Sequence, residues 1–282
     1  MIAGSCSFKS LNGSPGEMGL FEQRTRTAAI LLSAGQGRRL LPYTTNTPKC
    51  LIEVGGQRVI EWQIDALMAA GISRITAVIG YGAEQVERVL NERYGPGVIS
   101  TIYNPFFEVA DNLASCWMAR QIMHDDFILL NGDTLFDHPV LERLLDAPAR
   151  AITLAVDKKL AYDSDDMKVQ LIGDRISAIG KLIPLDHVDG ESIGMMHFQA
   201  GGGPLFRSAL EDSMRRPEAL QRWYLSIIDH LAGTTGQVFA QSIEGLGWAE
   251  LDFPADLRAA QALVRPWVCR KQGTAITLAE GE

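Results

Sequence analysis

Short apolar runs alternate with amphipathic segments through the first half of the chain, which is the pattern of a parallel α/β sheet. The apolar run at 28–33 predicts a strand that is buried on both faces. The same criteria predict further strands at 74–80, 98–103 and 126–130, and helices at 59–70, 83–94 and 111–123. We therefore expect an α/β fold of three layers around a Rossmann-like, mixed but mostly parallel sheet.

After residue 150 the pattern changes to short strands separated by turns. The strands are predicted at 152–156, 167–171, 176–181 and 194–198. They indicate an antiparallel extension of the same sheet rather than an independent domain. Helices near 204–215 and 218–232, a strand at 237–241 and a closing helix at 254–264 complete the prediction.

The two ends of the chain lack this periodicity. Residues 1–26 are polar, contain Gly and Ser, and are expected to form a disordered extension, or to reflect a start site placed upstream of Met18. Residues 27–266 are predicted to form a single domain, and residues 267–282 a loose C-terminal tail.

Composition narrows the possible partners. The chain has 282 residues, 46% of them hydrophobic, and a net charge of −8. An acidic chain lacks the basic surface that nucleic-acid binding needs, although a local basic site can still bind a nucleotide. Its four cysteines have no metal-ligand spacing, and neither a membrane span nor a signal peptide is evident. We expect a cytoplasmic protein with reduced thiols and no membrane or nucleic-acid partner; its oligomeric state is left open.

The strand at 28–33 leads directly into a glycine-rich stretch that reads SAGQGRRLLPYTTNTPK. Gly35 and Gly37 allow the backbone to approach a ligand and to adopt positive φ angles, and consecutive N–H groups in such a turn bind anions. Arg39 and Lys49 add positive charge. The stretch lacks the Gly-Lys-Ser/Thr ending of a P-loop and the third glycine of the dinucleotide fingerprint. An anion is the ligand that this combination favours.

The order Gly-x-Gly-x-Arg-Leu, Pro-x-Thr and Pro-Lys-x-Leu resembles the signature of the sugar-phosphate nucleotidyltransferase superfamily, whose fold is GT-A-like. The resemblance implies that the loop wraps a nucleoside triphosphate, and that Arg39 and Lys49 are catalytic residues that neutralise phosphate charge. The residues expected to bind the nucleotide are Ser33, Ala34, Gly35, Gly37, Asn112, Ser115 and Gly132.

Carboxylates suited to Mg²⁺ occur in two remote segments. Asp133 follows the strand at 126–130, at the sheet edge where open α/β sheets bind ligands. Mg²⁺ prefers one or two carboxylates together with phosphate oxygens. In the segment Trp-Ala-Glu-Leu-Asp, Glu250 and Asp252 alternate onto one face. The resemblance implies that Asp133 and Asp252 bind the metal, whereas Glu250 contacts the acceptor or supports the metal site.

Other segments resemble the phosphocholine cytidylyltransferase-like branch of this superfamily. An Asn-Pro-aromatic segment at 104–106 precedes Asp-Asn-Leu-Ala-Ser at 111–115, with Asp111 in place of the branch's first Asn. The likeness implies that Asn112 and Ser115 lie near the base or ribose. Capping of a helix is the alternative role of Asn112.

The acceptor site is predicted from lysines, a carboxylate and aromatic residues. Lys168 alternates with apolar neighbours and is expected to point away from the core as a phosphate anchor. Lys181 occupies the lysine position of the sugar enzymes' Glu-Lys-Pro motif, but Gly180 replaces the glutamate that would hold sugar hydroxyls. Glu191 with Trp223 or Tyr224 would suit a quaternary ammonium, and its carboxylate would also suit a primary amine.

These features predict an Mg²⁺-dependent nucleotidyltransferase that moves CMP from CTP to a small phosphate or phosphonate, such as phosphocholine or 2-aminoethylphosphonate, and releases pyrophosphate. The preference for CTP over UTP rests on the resemblance. A sugar-1-phosphate nucleotidyltransferase using UTP, dTTP or GTP is one alternative. An inactive nucleotide-binding regulatory module is the other.

Overall fold

A computed structural model describes residues 24–279 and contains one large mixed sheet. The strands of the first half are β1 (Ala28–Ser33), β2 (Glu53–Val54), β3 (Gln57–Arg58), β4 (Arg74–Ile79), β5 (Ser100–Tyr103), β6 (Phe127–Asn131) and β7 (Thr134–Phe136). Those of the second half are β8 (Ile152–Asp157), β9 (Lys168–Ile172), β10 (Arg175–Gly180), β11 (Gly190–Phe198), β12 (Val238–Ser242) and β13 (Trp248–Glu250).

The helices cover both faces of this sheet and one of its ends. They are α1 (Val59–Ala69), α2 (Ala83–Tyr94), α3 (Asn112–Met118), α4 (His138–Leu145), α5 (Gly202–Met214), α6 (Leu225–Thr235) and α7 (Pro254–Ala279). Short 3-10 turns at Arg38–Leu40 and Lys49–Leu51 interrupt the long connection between β1 and β2.

Nine strands form the large sheet in the order β5-β4-β1-β6-β11-β8-β12-β10-β9. Only β10 and β11 run against the others, as their antiparallel pairings require. The predicted fold class, an α/β fold with a mostly parallel mixed sheet that extends into the second half, is therefore confirmed. Because β1 and β6 are parallel neighbours, Ser33 and Asp133 emerge at the same edge of the sheet.

Three apolar clusters form the core. Two lie on opposite faces of the sheet, as the uninterrupted burial of β1 requires. The third packs the 3-10 turn at Arg38–Leu40 through Leu40 against Trp62 of α1, Leu251 and Trp267 of α7. The loop that follows β1 is thus attached to the C-terminal helix by buried side chains.

The predicted helix at 218–232 is wrong in extent, because the chain forms a 3-10 turn at Pro217–Gln221 and begins α6 only at Leu225. Arg222 is extended between them. The carbonyls of Leu220 and Arg222 accept hydrogen bonds from the N–H groups of Asp111 and Leu113 at 2.7 and 3.3 Å. The break therefore supplies acceptors for the first turn of α3, whose N–H groups lack partners within the helix.

The last helix is longer than predicted. The closing helix was expected to end at residue 264, whereas α7 continues to Ala279. Residues 1–23 of the predicted extension and the last three residues of the predicted tail lie outside the described residues. The division of the chain at 26 and 266 stays a prediction.

The structure also describes the state of the cysteines and the hydropathy of the helices. The described cysteines Cys50, Cys116 and Cys269 are free thiols. Within residues 24–279, no helix combines the length and the hydropathy that crossing a bilayer requires.

Candidate active site

The glycine-rich stretch forms a tight loop over the end of β1. Gly37 has φ +75°, in the left-handed region that glycine tolerates. Its carbonyl accepts hydrogen bonds from Thr44 Oγ1 at 2.8 Å and from the N–H of Leu40 at 3.0 Å. Gly35 is not among the glycines with positive φ, and a Cβ there would meet nothing within 4 Å. The loop thus has a fixed corner at Gly37 and an open backbone face at Gly35.

This loop and α3 enclose a cavity of about 310 Å³ at the sheet edge. The predicted nucleotide-binding residues that line it are Ser33, Ala34, Gly35, Gly37, Asn112, Ser115 and Gly132. Lys49 and Asp133 line it as well. The structure therefore brings the whole predicted nucleotide set together, although the individual roles stay predictions.

The floor of the cavity depends on a close approach between β1 and the turn after β6. Gly132 donates its N–H to the carbonyl of Leu32 at 3.0 Å, and a Cβ at Gly132 would lie 2.6 Å from that oxygen. Such a distance excludes any side chain at residue 132. Asn131 precedes it, and its Oδ1 accepts a hydrogen bond from the Tyr224 hydroxyl at 2.9 Å.

Asn112 and Ser115 reach the cavity from α3. Asn112 Oδ1 accepts from the N–H of Tyr224 at 3.0 Å, so this side chain joins two helices instead of capping its own. Ser115 Oγ accepts from Asn104 Nδ2 at 2.9 Å, and Asn104 Oδ1 accepts from the N–H of Phe106. The two polar side chains are therefore held in place before any ligand binds.

Lys49 lines this cavity and lies between two carboxylates. Its Nζ donates to Asp133 Oδ2 and Asp252 Oδ1, each at 2.6 Å. Burial alone would lower the pKa of Lys49, but the two carboxylates outweigh it and hold that pKa above its ordinary range. The predicted metal ligands Asp133 and Asp252 therefore lie close together, although they are 119 residues apart in the sequence. In this structure Lys49 bridges their carboxylates.

The short sheet of β7 and β13 causes this convergence. Glu250 pairs with Thr134, so the strand end that carries Asp252 lies beside Asp133. The N–H of Leu251 donates to the carbonyl of Asp133 at 3.2 Å, and the Leu251 side chain is buried in the third apolar cluster. As predicted, Leu251 faces the core and its acidic neighbours face the cleft.

The residues present fit a magnesium ion. Asp133 Oδ1 is buried and has no hydrogen-bond partner among the described residues. A buried carboxylate oxygen is expected to be satisfied, and a cation would satisfy it. Within residues 24–279, no group of three or more His, Cys, Asp or Glu side chains is arranged to hold a metal. Asp133 and Asp252 would therefore need phosphate oxygens of the ligand as partners.

Glu250 completes an acidic row along the cleft. Desolvation by the surrounding protein, with repulsion from Asp133 and Asp252, raises the pKa of Glu250 to about 8. The side chain itself is exposed to the cleft. The raised pKa favours the protonated form of Glu250 near neutral pH, so the negative charge that a cation could use comes from Asp133 and Asp252.

Arg39 turns away from the cavity. Its Nη1 contacts Asp165 Oδ2 at 2.6 Å and Asp252 Oδ2 at 3.5 Å, while its neighbour Arg38 lines the cavity. Asp165 Oδ1 also accepts from Lys181 Nζ at 2.8 Å, and that ammonium lies 4.5 Å from the ring centroid of Trp223. Two cations that were predicted to contact phosphates are therefore held by one carboxylate.

The predicted orientation of Lys168 is wrong. The side chain is 3% exposed rather than pointing out of the sheet. Its Nζ donates to the carbonyls of Asp163, Asp166 and Lys181. An ammonium has three donors, so these carbonyls use all of them. Alternation along β9 predicts that Lys168 points away from the core. The side chain is buried instead, because the preceding loop curls over this end of the strand.

Of the two aromatic residues predicted as alternatives beside Glu191, Tyr224 is the wrong one. Tyr224 is fully buried, and burial raises its pKa well above the ordinary range. Trp223 remains 43% exposed, beside Lys181. Glu191 is buried as well, and its Oε2 contacts Lys159 Nζ at 2.6 Å. Glu191 and Tyr224 therefore do not form an open cage for a quaternary ammonium.

Several site residues were missed by the sequence analysis. Cavity-lining positions without a predicted role are Leu32, Gln36, Arg38, Cys50, Phe107, Glu108, Ala110, Asp111 and Asn131. Lys159, Asp165 and Asp166 occupy the loop between β8 and β9 beside the predicted acceptor residues. The charge-rich sequence of that loop was the available signal. Asn131 could have been identified from its place at the end of β6.

Comparison with known proteins agrees with this geometry. Residues 29–223 match the family model described as the MobA-like NTP transferase domain. That span includes β1, the glycine-rich loop, α3 and Asp133. It ends before β13, so the segment of Asp252 lies outside it.

Three individual proteins illustrate the similarity. The chain is 41% identical, over 83% of its length and 92% of the relative, to 2-aminoethylphosphonate cytidylyltransferase of Lancefieldella rimae. It is 28% identical, over 84% of its length, to CMP-5'-(3-aminopropyl)phosphonate synthase of Streptomyces rubellomurinus, but spans only 39% of that relative. The structure of CTP:phosphocholine cytidylyltransferase from Streptococcus pneumoniae superposes with a TM-score of 0.70 at 23% identity, covering 85% of this chain and all of that one.

Proposed function

The chain belongs to the family of MobA-like NTP transferase domains, and we propose that it transfers CMP from CTP to a small phosphonate or phosphate acceptor. The observation that carries this proposal is that Lys49 lies between Asp133 and Asp252 and lines the same cavity as the glycine-rich loop. The proposed triphosphate site and the charged groups that would neutralise its phosphates thus lie in the same cavity.

The nucleotide would bind with its phosphates along the loop and its nucleoside toward α3. Gly35 leaves space above the backbone, which permits close approach of an anion. Asn112 and Ser115 lie on the opposite wall of the cavity, with their orientation fixed by Tyr224 and Asn104. The named activities of similar proteins support CTP as the nucleotide.

Asp133 and Asp252 would hold Mg²⁺ with the triphosphate, and the ion would neutralise phosphate charge. Lys49 would then contact a phosphate oxygen in place of one carboxylate. Because the ammonium is largely buried and remains charged, it can stabilise negative charge on the phosphates after this exchange of partners.

The proposed reaction is an in-line displacement at the α-phosphorus. An acceptor oxygen forms a new bond to the α-phosphorus. The bond between the α-phosphorus and the α,β-bridging oxygen breaks, and pyrophosphate leaves with that electron pair. A phosphate or phosphonate is already largely anionic near neutral pH, so no strong base is needed. Catalysis would come from positioning and from charge neutralisation by Lys49 and Arg39.

The acceptor would bind beside Lys181 and Arg39. Both cations converge on a single anion, the Asp165 carboxylate, at 2.8 and 2.6 Å. A phosphonate presents three oxygens and would satisfy the same donors. The relatives named for phosphonate substrates support this class of acceptor over a sugar phosphate.

Pyrophosphate release tests the proposal. Four nucleotides, CTP, UTP, dTTP and GTP, are each combined with 2-aminoethylphosphonate, phosphocholine and a hexose-1-phosphate in the presence of Mg²⁺. We expect turnover with CTP and 2-aminoethylphosphonate. Turnover only with a hexose-1-phosphate would make the chain a sugar-nucleotide enzyme. Binding of a nucleotide without turnover on any acceptor would support a regulatory module.

A further inference from the structure

The loop between β8 and β9, residues 158–167, carries opposite charges into two neighbouring sites of the cleft. Lys159 Nζ donates to Asp166 Oδ1 at 3.0 Å and to Glu191 Oε2 at 2.6 Å. The same ammonium lies 5.9 Å from the ring centroid of Trp248. A primary ammonium is therefore held by two carboxylates beside an indole, and one of these carboxylates is buried.

The second site holds the loop's negative charge. Asp165 is bound by Lys181 and Arg39, and these two cations hold the pKa of Asp165 below its ordinary range. Lys181 in turn lies over Trp223. An anion is thus recognised by two cations at the point where the proposed acceptor phosphonate must bind.

One strand connects the two sites. Trp248, Glu250 and Asp252 alternate along and beyond β13, with Trp248 next to Lys159 and Asp252 next to Arg39 and Lys49. Glu250 lies between them on the same strand. The ammonium site and the anion site therefore belong to one continuous cleft.

Between residues 158 and 166 the loop is held mainly by charges and hydrogen bonds, whereas Met167 at its end packs against one of the apolar clusters. Leu160 is fully exposed, and no buried hydrophobic residue lies between 158 and 167. The Asp165 ion pairs are exposed, and exposed pairs contribute little to stability. Inside the loop, Asp163 Oδ1 accepts from the N–H groups of Asp165 and Asp166, and Lys168 secures the loop's end. The side chains of Lys159 and Asp165 can therefore exchange their partners for a better ligand, while Lys168 keeps Asp163 and Asp166 in place.

Resting on the proposed function, we propose that this loop is an internal mimic of the acceptor, and that the acceptor is a zwitterion with a primary amine and a phosphonate. Lys159 occupies the amine site formed by Glu191 and Asp166, and Asp165 occupies the phosphonate site formed by Lys181 and Arg39. The acceptor displaces both loop side chains. Glu191 Oε1, buried and without a hydrogen-bond partner among the described residues, is available for a second hydrogen bond from the incoming amine.

The geometry favours a primary amine over a quaternary one. Contacts of 2.6 and 3.0 Å are hydrogen bonds, which a trimethylammonium group cannot donate. A quaternary cation is instead recognised by aromatic faces, and only Trp248 flanks the amine site among the described residues. We therefore expect 2-aminoethylphosphonate to be a better acceptor than phosphocholine.

Two variants separate mimicry from general electrostatics. In Asp165→Asn the phosphonate site loses its internal competitor, and in Lys159→Gln the amine site does. The acceptor no longer competes with the loop, so each variant should bind 2-aminoethylphosphonate more tightly, by about threefold or more. Simple charge effects predict the opposite sign for Lys159→Gln, because removing a positive charge should weaken binding of an anion.

The measurement is titration calorimetry of 2-aminoethylphosphonate and of ethylphosphonate, which lacks the amine, with KM for CTP as a parallel readout. Asp165→Asn should tighten binding of both phosphonates, whereas Lys159→Gln should tighten only that of 2-aminoethylphosphonate. KM for CTP should stay within about twofold, since the nucleotide cavity is not touched. Matched controls are Asp163→Asn and Lys158→Gln, which make the same charge changes in the same loop.

The outcomes distinguish this proposal from the function on which it rests. Wild-type turnover with CTP, combined with unchanged or weaker acceptor binding in both variants, would overturn the mimic and leave the function intact. Tighter binding in the variants without any turnover would leave the zwitterion site standing and overturn the transfer. If tightening in Asp165→Asn were matched by Asp163→Asn, net charge would be the cause and the mimic would be wrong.

Discussion

Lys49 links the two halves of the candidate active site. Its side-chain stem packs against Gly37, where a Cβ would lie 3.0 Å from Lys49 atoms, and its ammonium joins Asp133 to Asp252. A substitution at Gly37, Asp133 or Asp252 should therefore change the position or the pairing of the Lys49 ammonium. It does not act on bulk packing, which the three apolar clusters provide elsewhere.

Asp133→Asn should lower kcat by about 100-fold or more, because metal-assisted charge stabilisation is worth several kcal/mol. The substitution keeps the size of the side chain and leaves Lys49 paired with Asp252. We expect an unchanged circular dichroism spectrum and a loss of Mg²⁺-dependent pyrophosphate release. Asp174→Asn, which removes an exposed partner of Arg150, is the control. An Asp133→Asn enzyme with near wild-type kcat would exclude this residue from the metal site.

The two glycines of the loop should respond differently to alanine. Gly37→Ala forces an L-residue into left-handed backbone, which costs about 1–2 kcal/mol, and pushes against Lys49. Gly35→Ala has free space and should keep the wild-type free energy of unfolding, but its methyl group points toward the open cavity and should raise KM for CTP. Urea denaturation and steady-state kinetics separate the two effects.

Gly173→Ala is the control for backbone strain, since Gly173 also has a positive φ but no neighbour within 4 Å of an added Cβ. We expect it to lose stability while keeping KM for CTP. Equal KM values for Gly35→Ala and wild type would show that this backbone does not approach the nucleotide.

At the residue scale, the sequence was most informative where the chemistry is local. The order of glycines, prolines and basic residues from 33 to 49 depends on short-range geometry, and the cavity contains the residues predicted from it. Lys168 and Tyr224 were misplaced because burial depends on what covers them. A loop covers the first, and the packing of α6 against α3 and the end of β6 covers the second.

Among the elements, β11 is a fully buried strand that carries ionisable side chains near both of its ends. It is buried from end to end, pairs with β6 and β8, and carries Glu191 at one end and His197 at the other. Burial lowers the pKa of His197 to about 4, and its Nε2 has no hydrogen-bond partner among the described residues. The folded protein therefore holds this imidazole neutral.

His197 should make stability depend on acid pH. Between pH 6.5 and 4 the unfolded chain binds a proton that the folded chain excludes, so the free energy of unfolding falls as pH decreases. The contribution is about 3 kcal/mol across this window. Glu191, whose pKa is raised to about 7 by burial, acts in the opposite direction, so total stability would conceal the effect.

Comparing His197→Asn with wild type isolates the contribution of His197 to the pH dependence of the unfolding free energy. Urea denaturation at several pH values should show the difference in unfolding free energy shifting in favour of the variant below pH 6.5. Above pH 7 the difference should be constant, which serves as an internal control. A difference that is constant down to pH 4 would mean that His197 does not titrate in this range.

Elements with strong periodicity were predicted well, and those defined by distant partners were not. β1 was predicted at its observed bounds because an apolar run has few alternatives. The strands β2, β3 and β7 were missed, because segments of two or three residues carry almost no periodic signal. The helix α4 is the exception, since it was missed although Val140, Leu141 and Leu144 follow helical spacing. The break before α6 follows from acceptors offered to α3, which no local pattern encodes.

At the scale of the whole molecule, the third apolar cluster determines whether the site is assembled. It joins Leu40 of the glycine-rich loop and Leu251 beside Asp252 to Val264 and Trp267 of α7. Trp62 and Trp267 meet edge to face with centroids 5.8 Å apart. The last described helix therefore supports both the phosphate loop and the second predicted metal ligand, which its sequence did not reveal.

A chain that ends at Pro266 tests this support and also the predicted domain boundary. Removing Trp267 deletes a buried indole, and Trp267→Ala alone should cost about 3–5 kcal/mol in the free energy of unfolding. Cys269→Ala, an exposed position on the same helix, should stay within about 0.5 kcal/mol of wild type. Both the truncated chain and Trp267→Ala should also show a higher KM for CTP, because Leu40 loses its packing partner. Chemical denaturation and pyrophosphate kinetics provide the two readouts. Wild-type stability in the truncated chain would place the boundary at 266 and remove α7 beyond that residue from the folded unit.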